Sequence, residues 1–555
     1  MPRIWHSRSV HALAEPESVL QPAFCLIPVH PGAIIFTMPP AKSETSSAEL
    51  SRLLESFFAV HPEAAVLEEG RVLFDMRSAS YALSADHGRC ALHLWSEERN
   101  LVRTIVEVEP RRDSLRLAAR RFGQSRPQWL EVVADRDRRT PGTRSVERSR
   151  YLRILERVLA RNFADLELDN LKAAIDLEHS FGPAYARGVL VRGQTAWAVI
   201  GVGASEPAAM IDGALTLGIL WLDYCRGRSP ERRVFEGLKV IVPTGTAATT
   251  AARMAWLHPG AAKWELYELE EGGEELLRVE SISRGNVDVQ LAHAFDPTAT
   301  LDRFRVAIAQ VMTLLPAVIW DDVELRPRGP AEVAFLLHGL EFARVKHGLG
   351  QDSFTRRDQV TFGAGPCVTE LNAGTEDLFR ELMERVSQSR HPEGTARDPI
   401  YRLQSERWLE SVVRRNLAMI EPEVRSECVY AQVPAFSGGD RGMLDLLSVT
   451  RDGRLVVLEL KADEDLHLPL QGLDYWMRVR QLACEGQNRF AAAGYFRGLE
   501  LKPEAPLLHF VVPALRLHPA NQVVLRYLAP EVEWSIVAIG EGWRREPKVV
   551  FRKHA

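Results

Sequence analysis

The sequence predicts a multidomain α/β protein, of the α+β kind, from three observations. Its 555 residues are too many for one hydrophobic core and suggest about three to four domains. Runs with helical periodicity alternate with short strand-like runs, and turn residues separate them. Two distant segments share the same order of helices and strands, which indicates an internal duplication. Hydrophobic residues make up 46% and charged residues 26% of the chain, as in ordinary globular proteins.

The first half of the chain predicts two modules joined by a linker. Residues 1–140 form a small β-rich α+β module, in which the helix "SAELSRLLESFFAVH" precedes strands such as "RVLFDM" and "LVRTIVEVEP". The arginine-rich stretch "DRDRRTPGTRS" that follows is typical of a linker. Residues 147–270 then run helix, three strands, helix, strand, helix and strand.

The second half predicts a mixed connecting region and a C-terminal domain. Residues 271–395 are mixed, with helical patterns at 301–315 and 331–347. In the domain at 398–555, Asp398-Pro399 opens a helix, with the aspartate as N-cap. Strands up to position 461, a helix at 468–487 and the strands "LLHFVVP" and "EWSIVAIG" complete it.

A hairpin in this C-terminal domain ends in charged residues. The run "LVVLELK", which ends at Lys461, is apolar except for Glu459. Because side chains alternate between the faces of a strand, Glu459 and Lys461 share one face. A two-residue loop in "RDG" would set Asp445 opposite Leu460, on the other face. A three-residue loop closed by a left-handed glycine sets Asp445 opposite Glu459, and we adopt that register.

Two facing carboxylates beside an ammonium group suit metal-assisted hydrolysis of a phosphodiester bond. The carboxylates repel each other unless a cation neutralises them. Mg²⁺ prefers hard oxygen ligands, often one or two carboxylates plus a substrate phosphate. A lysine beside the ion can orient or deprotonate water, or stabilise a developing oxyanion. The alternative is a surface salt bridge at a sheet edge, which would leave two carboxylates for one lysine.

The C-terminal domain resembles the PD-(D/E)xK nuclease superfamily, whose core is a helix, a three- to four-stranded sheet, a helix and a strand. The resemblance rests on five side chains, in chain order Asp445, Glu459, Lys461, Gln471 and Tyr475. The layout is most similar to mismatch nucleases of the NucS type, and the QxxxY spacing to RecB-type nuclease domains. The resemblance covers only residues 398–555, and Leu444 stands where the proline of the family name would be.

The resemblance implies a restriction-endonuclease-like core and a set of metal ligands. Asp445, Glu459 and the backbone carbonyl of Leu460 would bind Mg²⁺ or Mn²⁺. The first helix would supply a glutamate, Glu410 or, one turn earlier, Glu406, that holds the ion through water or completes a second site. For Glu406, an ion pair with a neighbouring arginine is the alternative.

The resemblance also implies roles for the lysine and the next helix. Lys461 would position the attacking water. Gln471 and Tyr475, one helical turn apart, would support the lysine and contact the backbone phosphate, with a half-buried helix face as the alternative. His467 could touch a phosphate, although a solvated or capping histidine explains it as well.

The duplication predicts that the middle segment keeps the fold and loses the chemistry. "LERVLARNF" (155–163) aligns with "LESVVRRNL" (409–417), and "WAVIGVGASE" (197–206) aligns with "LVVLELKADE" (455–464). In this alignment the three positions of the acids and the lysine hold Val191, Gly201 and Gly203. The segment 147–270 is therefore expected to be a degenerate nuclease-like domain.

Composition bounds the compartment and the partners. No apolar run approaches the roughly 18 residues of a membrane span, and six scattered cysteines without CxxC favour neither a zinc site nor disulfides. We therefore expect a cytoplasmic protein without membrane attachment. The net charge is −5, but residues 111–163 hold fifteen arginines against six acidic residues. That stretch could contact phosphates or be a solvated surface.

These observations favour a Mg²⁺-dependent nuclease that acts on nucleic acid, above all DNA, with a homodimer as a possible assembly. The alternative is a non-cleaving nucleic-acid-binding or scaffolding protein, because a fold does not guarantee an activity. An RNA-processing nuclease is a third, weaker hypothesis. Substrate structure, endo- or exonuclease action and biological pathway stay open.

Overall fold

The computed structural model describes most of the chain from Ser46 onwards. The described residues are 46–62, 64–68, 71–76, 79–85, 89–95, 100–111, 114–120, 127–134, 141–176, 180–228, 233–280, 284, 289–349, 356–363, 369–437, 440–484 and 489–555. The first 45 residues of the predicted N-terminal module, and residues 135–140 of the linker, lie outside them. The described part is a mixed α/β protein with four β-sheets.

The first sheet is antiparallel and has seven strands, in the order β2-β1-β7-β6-β5-β4-β3. The helix α1 packs on it, and its first turn is closed by a capping box between Ser46 and Glu49. The elements are α1 (Ser47–Val60), β1 (Ala65–Glu68), β2 (Arg71–Asp75), β3 (Ser80–Ser84), β4 (Cys90–Trp95), β5 (Asn100–Pro110), β6 (Ser114–Arg120) and β7 (Gln128–Val133).

The second sheet has six strands, in the order β13-β12-β11-β10-β9-β8. Strands β10, β11 and β12 are parallel, and the others pair antiparallel. The elements are α2 (Pro141–Asn162), β8 (Glu167–Lys172), β9 (Tyr185–Arg192), β10 (Thr195–Val202), α3 (Ala208–Asp212), α4 (Ala214–Arg228), β11 (Val234–Pro243), α5 (Ala247–Met254), β12 (Lys263–Glu270) and β13 (Glu275–Val279).

The third sheet is a five-stranded antiparallel meander, β15 to β19 in chain order. Helices α6, α7 and α8 supply apolar side chains to its core. The elements are α6 (Pro297–Arg303), α7 (Arg305–Thr313), a 3₁₀ helix (Ala317–Asp322), β15 (Val323–Gly329), β16 (Glu332–Leu337), β17 (Leu340–Leu349), β18 (Arg356–Phe362), β19 (Thr369–Glu370) and α8 (Glu376–Ser389).

The helix expected over residues 331–347 is wrong, because β16 and β17 form a hairpin there. The chain turns at His338-Gly339, whose φ angles of 46° and 77° suit a two-residue type I′ turn. Residues 333–337 are all buried. A strand buried on both faces has no alternation, so its apolar run cannot be told from a buried helix by periodicity.

The fourth sheet has seven strands, in the order β14-β20-β21-β22-β23-β24-β25. Asp398 caps the short helix α9 as predicted, and accepts a hydrogen bond from the amide of Ile400 (2.7 Å). The elements are β14 (Val289–Leu291), α9 (Pro399–Arg402), α10 (Ser405–Arg415), α11 (Leu417–Ile420), β20 (Tyr430–Ser437), β21 (Asp440–Val449), β22 (Leu455–Leu460), α12 (Leu468–Cys484), α13 (Arg489–Ala492), β23 (Leu507–Pro513), a 3₁₀ helix (Ala514–Arg516), α14 (Pro519–Leu525), β24 (Trp534–Ile539) and β25 (Val549–His554).

Six strands of the fourth sheet, β20 to β25, have the topology of the second sheet, and β14 is an additional edge strand of the fourth. A helix precedes three antiparallel strands, a long helix leads to a parallel strand, a short helix leads to a second parallel strand, and an antiparallel strand ends the sheet. One hydrophobic core includes buried side chains of both sheets and of α4, α12 and α14. The two copies are therefore packed against each other.

One helical segment, Ala208–Arg228, is long and apolar enough to span a bilayer, in a search of the described residues. Its most apolar stretch is 67% buried inside the protein, and α4 packs on β10 and β11. A core helix of a soluble protein has the same features.

Candidate functional site

The hairpin of β21 and β22 has the three-residue loop that the sequence predicts. The amide of Thr450 donates to the carbonyl of Arg454 (2.8 Å), and Gly453 has a φ of 97°. The strands pair Val449 with Leu455 and Leu446 with Leu458. Continued by one residue, this register sets position 445 opposite position 459.

Glu459 lies on the face of the sheet that α12 covers. Val456, Leu458 and Leu460 pack in the core with α10, whereas Leu455 and Val457 pack in the core with α12. Position 459 continues the second set, because side chains alternate. In β21 the alternation breaks at Asp445, because Leu444 and Leu447 both pack in the core with α12, whereas Leu446 packs in the core with α10.

Asp445 lies at the point where the pairing of β21 with β22 ends. Its Oδ2 accepts a hydrogen bond from the amide of Leu460 (3.1 Å). Burial raises the pKa of Asp445 to about 6, helped by the charges of Glu410 and Glu406 and opposed by the Leu460 amide and Lys461. The environment of Asp445 therefore disfavours the ionised form of its carboxyl group.

Glu459 is the most buried acid of the site, with 1% of its surface exposed. Its Oε2 has no hydrogen-bond partner among the described residues. Burial, and then the charge of Asp445, raise the pKa of Glu459 well above its usual value. An orphaned buried carboxylate oxygen beside a second carboxylate is an arrangement that a cation would stabilise.

Lys461 is held by two further acids. Its Nζ lies 3.2 Å from Glu406 Oε1 and 3.3 Å from Asp465 Oδ2. Burial opposes its charge, but Glu406, Asp465 and Glu459 outweigh that effect and raise the pKa of Lys461. In the metal-free protein the lysine therefore keeps its proton, and it can act as a fixed positive charge or as a hydrogen-bond donor.

Gln471 and Tyr475 meet on one side of α12, as their spacing predicts. The charge of Glu459 acts on Tyr475, which places the phenol close to the site. Burial, with Glu459, raises the pKa of Tyr475 to about 12, whereas a hydrogen bond with Gln471 lowers it. The pair can therefore offer a neutral hydroxyl beside the carboxylates.

Glu410 is buried, and both of its oxygens are engaged. Oε1 accepts from Arg326 (2.6 Å), and Oε2 accepts from Arg407 (3.1 Å) and from Gln432 (2.8 Å). Gln432 also lies 3.4 Å from Asp445 Oδ1. Two arginines thus compensate the charge of Glu410, and its predicted role as a metal ligand stays a prediction.

Glu406, one helical turn earlier, is the more accessible glutamate of α10. Its side chain is 53% exposed, and its charge raises the pKa of both Asp445 and Glu459. Among the described residues it pairs with Lys461 and not with the arginine that the sequence suggested. The geometry favours Glu406 over Glu410 as the helix carboxylate open to a cation.

His467 lies between the site and the middle copy. Burial lowers the pKa of its imidazole, with Arg253 and Lys461 acting in the same direction and Asp465 against them. A Cβ on Gly213, next to α4, would lie only 2.8 Å from His467 Cε1. The half-buried histidine is therefore a packed contact between the copies, and it directly precedes α12, where its carbonyl accepts from the amide of Gln471 (3.0 Å).

The middle copy holds different residues at the site than the sequence alignment predicts. Ile200 pairs with Val240, and Glu459 pairs with Phe510. Positions 240 and 510 both lie three residues before a proline that ends the strand. Ile200, and not Gly201, therefore corresponds to Glu459.

The same register shows what stands opposite in the middle copy. Ile200 pairs with Arg187, so Arg187, and not Val191, corresponds to Asp445. Two residues on, Val202, and not Gly203, corresponds to Lys461. In β10 the sequence alignment was displaced by one residue, which exchanges the two faces of a strand, and in β9 it was displaced by four residues.

The arginine-rich stretch 111–163 includes several paired arginines. Arg148 pairs with Glu206, Arg157 with Glu274, and Arg111 with Glu131. Others, such as Arg150 and Arg153, are exposed. These contacts account for part of the arginines by internal ion pairs; phosphate contact remains a prediction.

Three site neighbours were not found from the sequence. Arg326 comes from β15, 84 residues before its partner Glu410. Gln432 has a φ of 54°, an irregularity that turns its amide towards Glu410. For Asp465 a signal existed, because it follows Lys461 by four residues and ends the acidic run "DED".

The donor set fits a divalent cation bound by few protein ligands. Among the described residues, no group of three or more His, Cys, Asp and Glu side chains is placed to hold a metal. Asp445 and Glu459 supply two carboxylates. Two carboxylates completed by water and substrate phosphate are sufficient for Mg²⁺, which keeps part of its hydration shell.

Comparisons with protein-family models and with curated proteins gave no match for this chain.

Proposed function

We propose that the chain is a Mg²⁺-dependent phosphodiesterase of the PD-(D/E)xK type that hydrolyses DNA. The observation that carries this proposal is the buried Oε2 of Glu459, which lies close to the charge of Asp445 and has no hydrogen-bond partner in the described part of the chain. Without a cation the two carboxylates cost free energy, and folding alone gives no reason to keep both. Ionisable groups with strongly shifted pKa values are typical of functional sites.

Asp445 and Glu459 would hold the ion. When bound, Mg²⁺ would neutralise them, polarise the scissile phosphate and lower the pKa of a coordinated water. The backbone of Leu460, which directly follows Glu459 in the chain, is held by the hydrogen bond from its amide to Asp445. Glu406 is exposed enough to bind the ion through water.

Lys461 would act as a positive charge at the phosphate. It would donate hydrogen bonds to the attacking water or to the developing oxyanion. Tyr475, with its raised pKa, would stay neutral and donate a hydrogen bond to a phosphate oxygen, with Gln471 orienting the phenol.

The test is a nuclease panel of single-stranded, duplex, flap, mismatched and RNA substrates with Mg²⁺ or Mn²⁺. We expect the wild type to cut, Asp445→Asn to be inactive, and Lys461→Ala to be slower by at least about 100-fold. Glu464→Gln is the matched control, because this exposed acid lies in the same loop. Full activity in both Asp445→Asn and Lys461→Ala would overturn the proposal.

A non-cleaving binding or scaffolding role is the second candidate, and the middle copy favours it. That copy keeps the topology with Arg187, Ile200 and Val202 in place of the acids and lysine, so the chain uses this fold at least once without them. Calorimetric titration with Mn²⁺ separates the two candidates: heat of binding that Glu459→Gln removes supports the nuclease, and no heat in the wild type supports the scaffold.

A further inference from the structure

We propose that the chain cuts one strand of duplex DNA per binding event. It pairs two copies of one fold, and only one of them has the two acids and the lysine. The inference rests on the proposed function and adds the form of the product. It is carried by the contact between the copies and by the residues of the middle copy.

The two copies meet through equivalent residues. Leu257, just after α5, forms an isolated antiparallel bridge with Leu528, just after α14. The amide of His258 donates to the carbonyl of Tyr527, and the amide of Ala529 donates to the carbonyl of Trp256, both at 2.8 Å. "WLHP" in one copy thus faces "YLAP" in the other, which is the reciprocal pattern of a two-fold axis.

The long helices α4 and α12 also make equivalent contacts with the opposite copy. Asp474 of α12 accepts two hydrogen bonds from Arg253 of α5 (2.9 and 2.7 Å). Asp223, its counterpart in α4 within the shared "LDY", accepts from the hydroxyl of Tyr527 (3.1 Å). Each copy therefore reaches across to the segment around the short helix of the other, and the chain contains an internal pseudo-dimer.

The middle half of this pseudo-dimer has no acidic pair at the equivalent position. Arg187, 1% exposed, stands in the place of Asp445. Its guanidinium lies 4.6 Å from the ring centroid of Phe181 and 5.9 Å from that of Trp221. Ile200 and Val202 fill the other two places. A buried cation among aromatic rings excludes a second cation there.

Two strands of a duplex run in opposite directions and are related by two-fold axes. A paired nuclease with two equal centres can therefore present one centre to each strand. A pair with one centre breaks one phosphodiester bond and must release and bind again, in the reverse orientation, to break the other strand. The expected product is a nick.

The experiment follows a supercoiled plasmid with Mg²⁺ at protein concentrations where sedimentation shows a single chain. We expect open circles to accumulate at a rate proportional to protein concentration, with linear molecules formed only from open circles. Asp445→Asn should abolish nicking. Arg187→Met, the change at the matching position of the other copy, should leave the nicking rate within about twofold. If Arg187→Met does not fold by circular dichroism, Ile200→Val takes its place.

Linear molecules that appear from the first time point, in step with open circles, would overturn the inference and leave the proposed function intact. A folded Arg187→Met or Ile200→Val protein as inactive as Asp445→Asn would also overturn it, because the middle copy would then take part in the chemistry. No cutting by the wild type with either metal would overturn the proposed function and the inference together.

Discussion

At the scale of single residues, Glu459 shows how far the site opposes the stability of the fold. Its carboxylate is buried beside that of Asp445 and has a raised pKa. A carboxyl group whose pKa is raised on folding destabilises the folded protein when it is ionised. The free energy of unfolding therefore decreases as the pH rises and the group loses its proton. The proposed binding of a cation would give this buried carboxyl group a role that folding does not.

We therefore expect Glu459→Gln to stabilise the metal-free protein. At pH 8 in a chelator, the free energy of unfolding should rise by about 1 to 3 kcal/mol, because a buried charge is removed. Urea denaturation followed by circular dichroism measures it, and the gain should shrink at acidic pH, where the wild-type carboxyl is protonated. Mg²⁺ should stabilise the wild type but not the variant. A variant less stable than the wild type in chelator would contradict this account of Glu459.

At the scale of elements, the strands of the site could be predicted and their long-range partners could not. The loop "RDG" allowed two registers of β21 and β22, and the three-residue loop that we adopted is the one in the structure. The ion pair of β15 with α10 joins segments with no local signal. The error at β16 and β17 has a different cause, because their apolar run suits a buried helix or a buried strand equally well.

The contact of β15 with α10 depends on Glu324. Its Oε1 accepts from Arg326 (2.8 Å) and Arg414 (2.5 Å), and Arg326 continues to Glu410. Burial alone would raise the pKa of Glu324, but the two arginines outweigh it and lower the pKa to about 2. This stabilisation is complete above the unfolded pKa and is lost as the pH falls towards the folded one.

Glu324→Gln should therefore cost about 2 kcal/mol at pH 7. The difference from the wild type should shrink as the pH falls from about 4.5 towards 2, because the wild-type carboxyl then also becomes neutral. Urea denaturation at pH 7, 5, 4 and 3 measures it, with the exposed Glu504→Gln as the control. A difference that does not depend on pH would show that Glu324 acts through packing and not through charge.

At the scale of the whole molecule, the duplication could be predicted from the sequence but its register could not. Matching words such as "LDY" and the order of elements revealed two copies. Short apolar strands resemble each other at any offset, and only backbone pairing showed that Arg187, Ile200 and Val202 stand at the site positions. The pairing of the copies through Leu257 and Leu528 depends on contacts 271 positions apart in the chain.

The most direct measurement of the central claim is a crystal soaked in Mn²⁺ and recorded with anomalous scattering. The account predicts a peak between the carboxylates of Asp445 and Glu459, absent from Asp445→Asn crystals, and no peak beside Arg187 in the middle copy. A Mn²⁺-saturated crystal without density at Asp445 and Glu459, or with the same density in the variant, would contradict it.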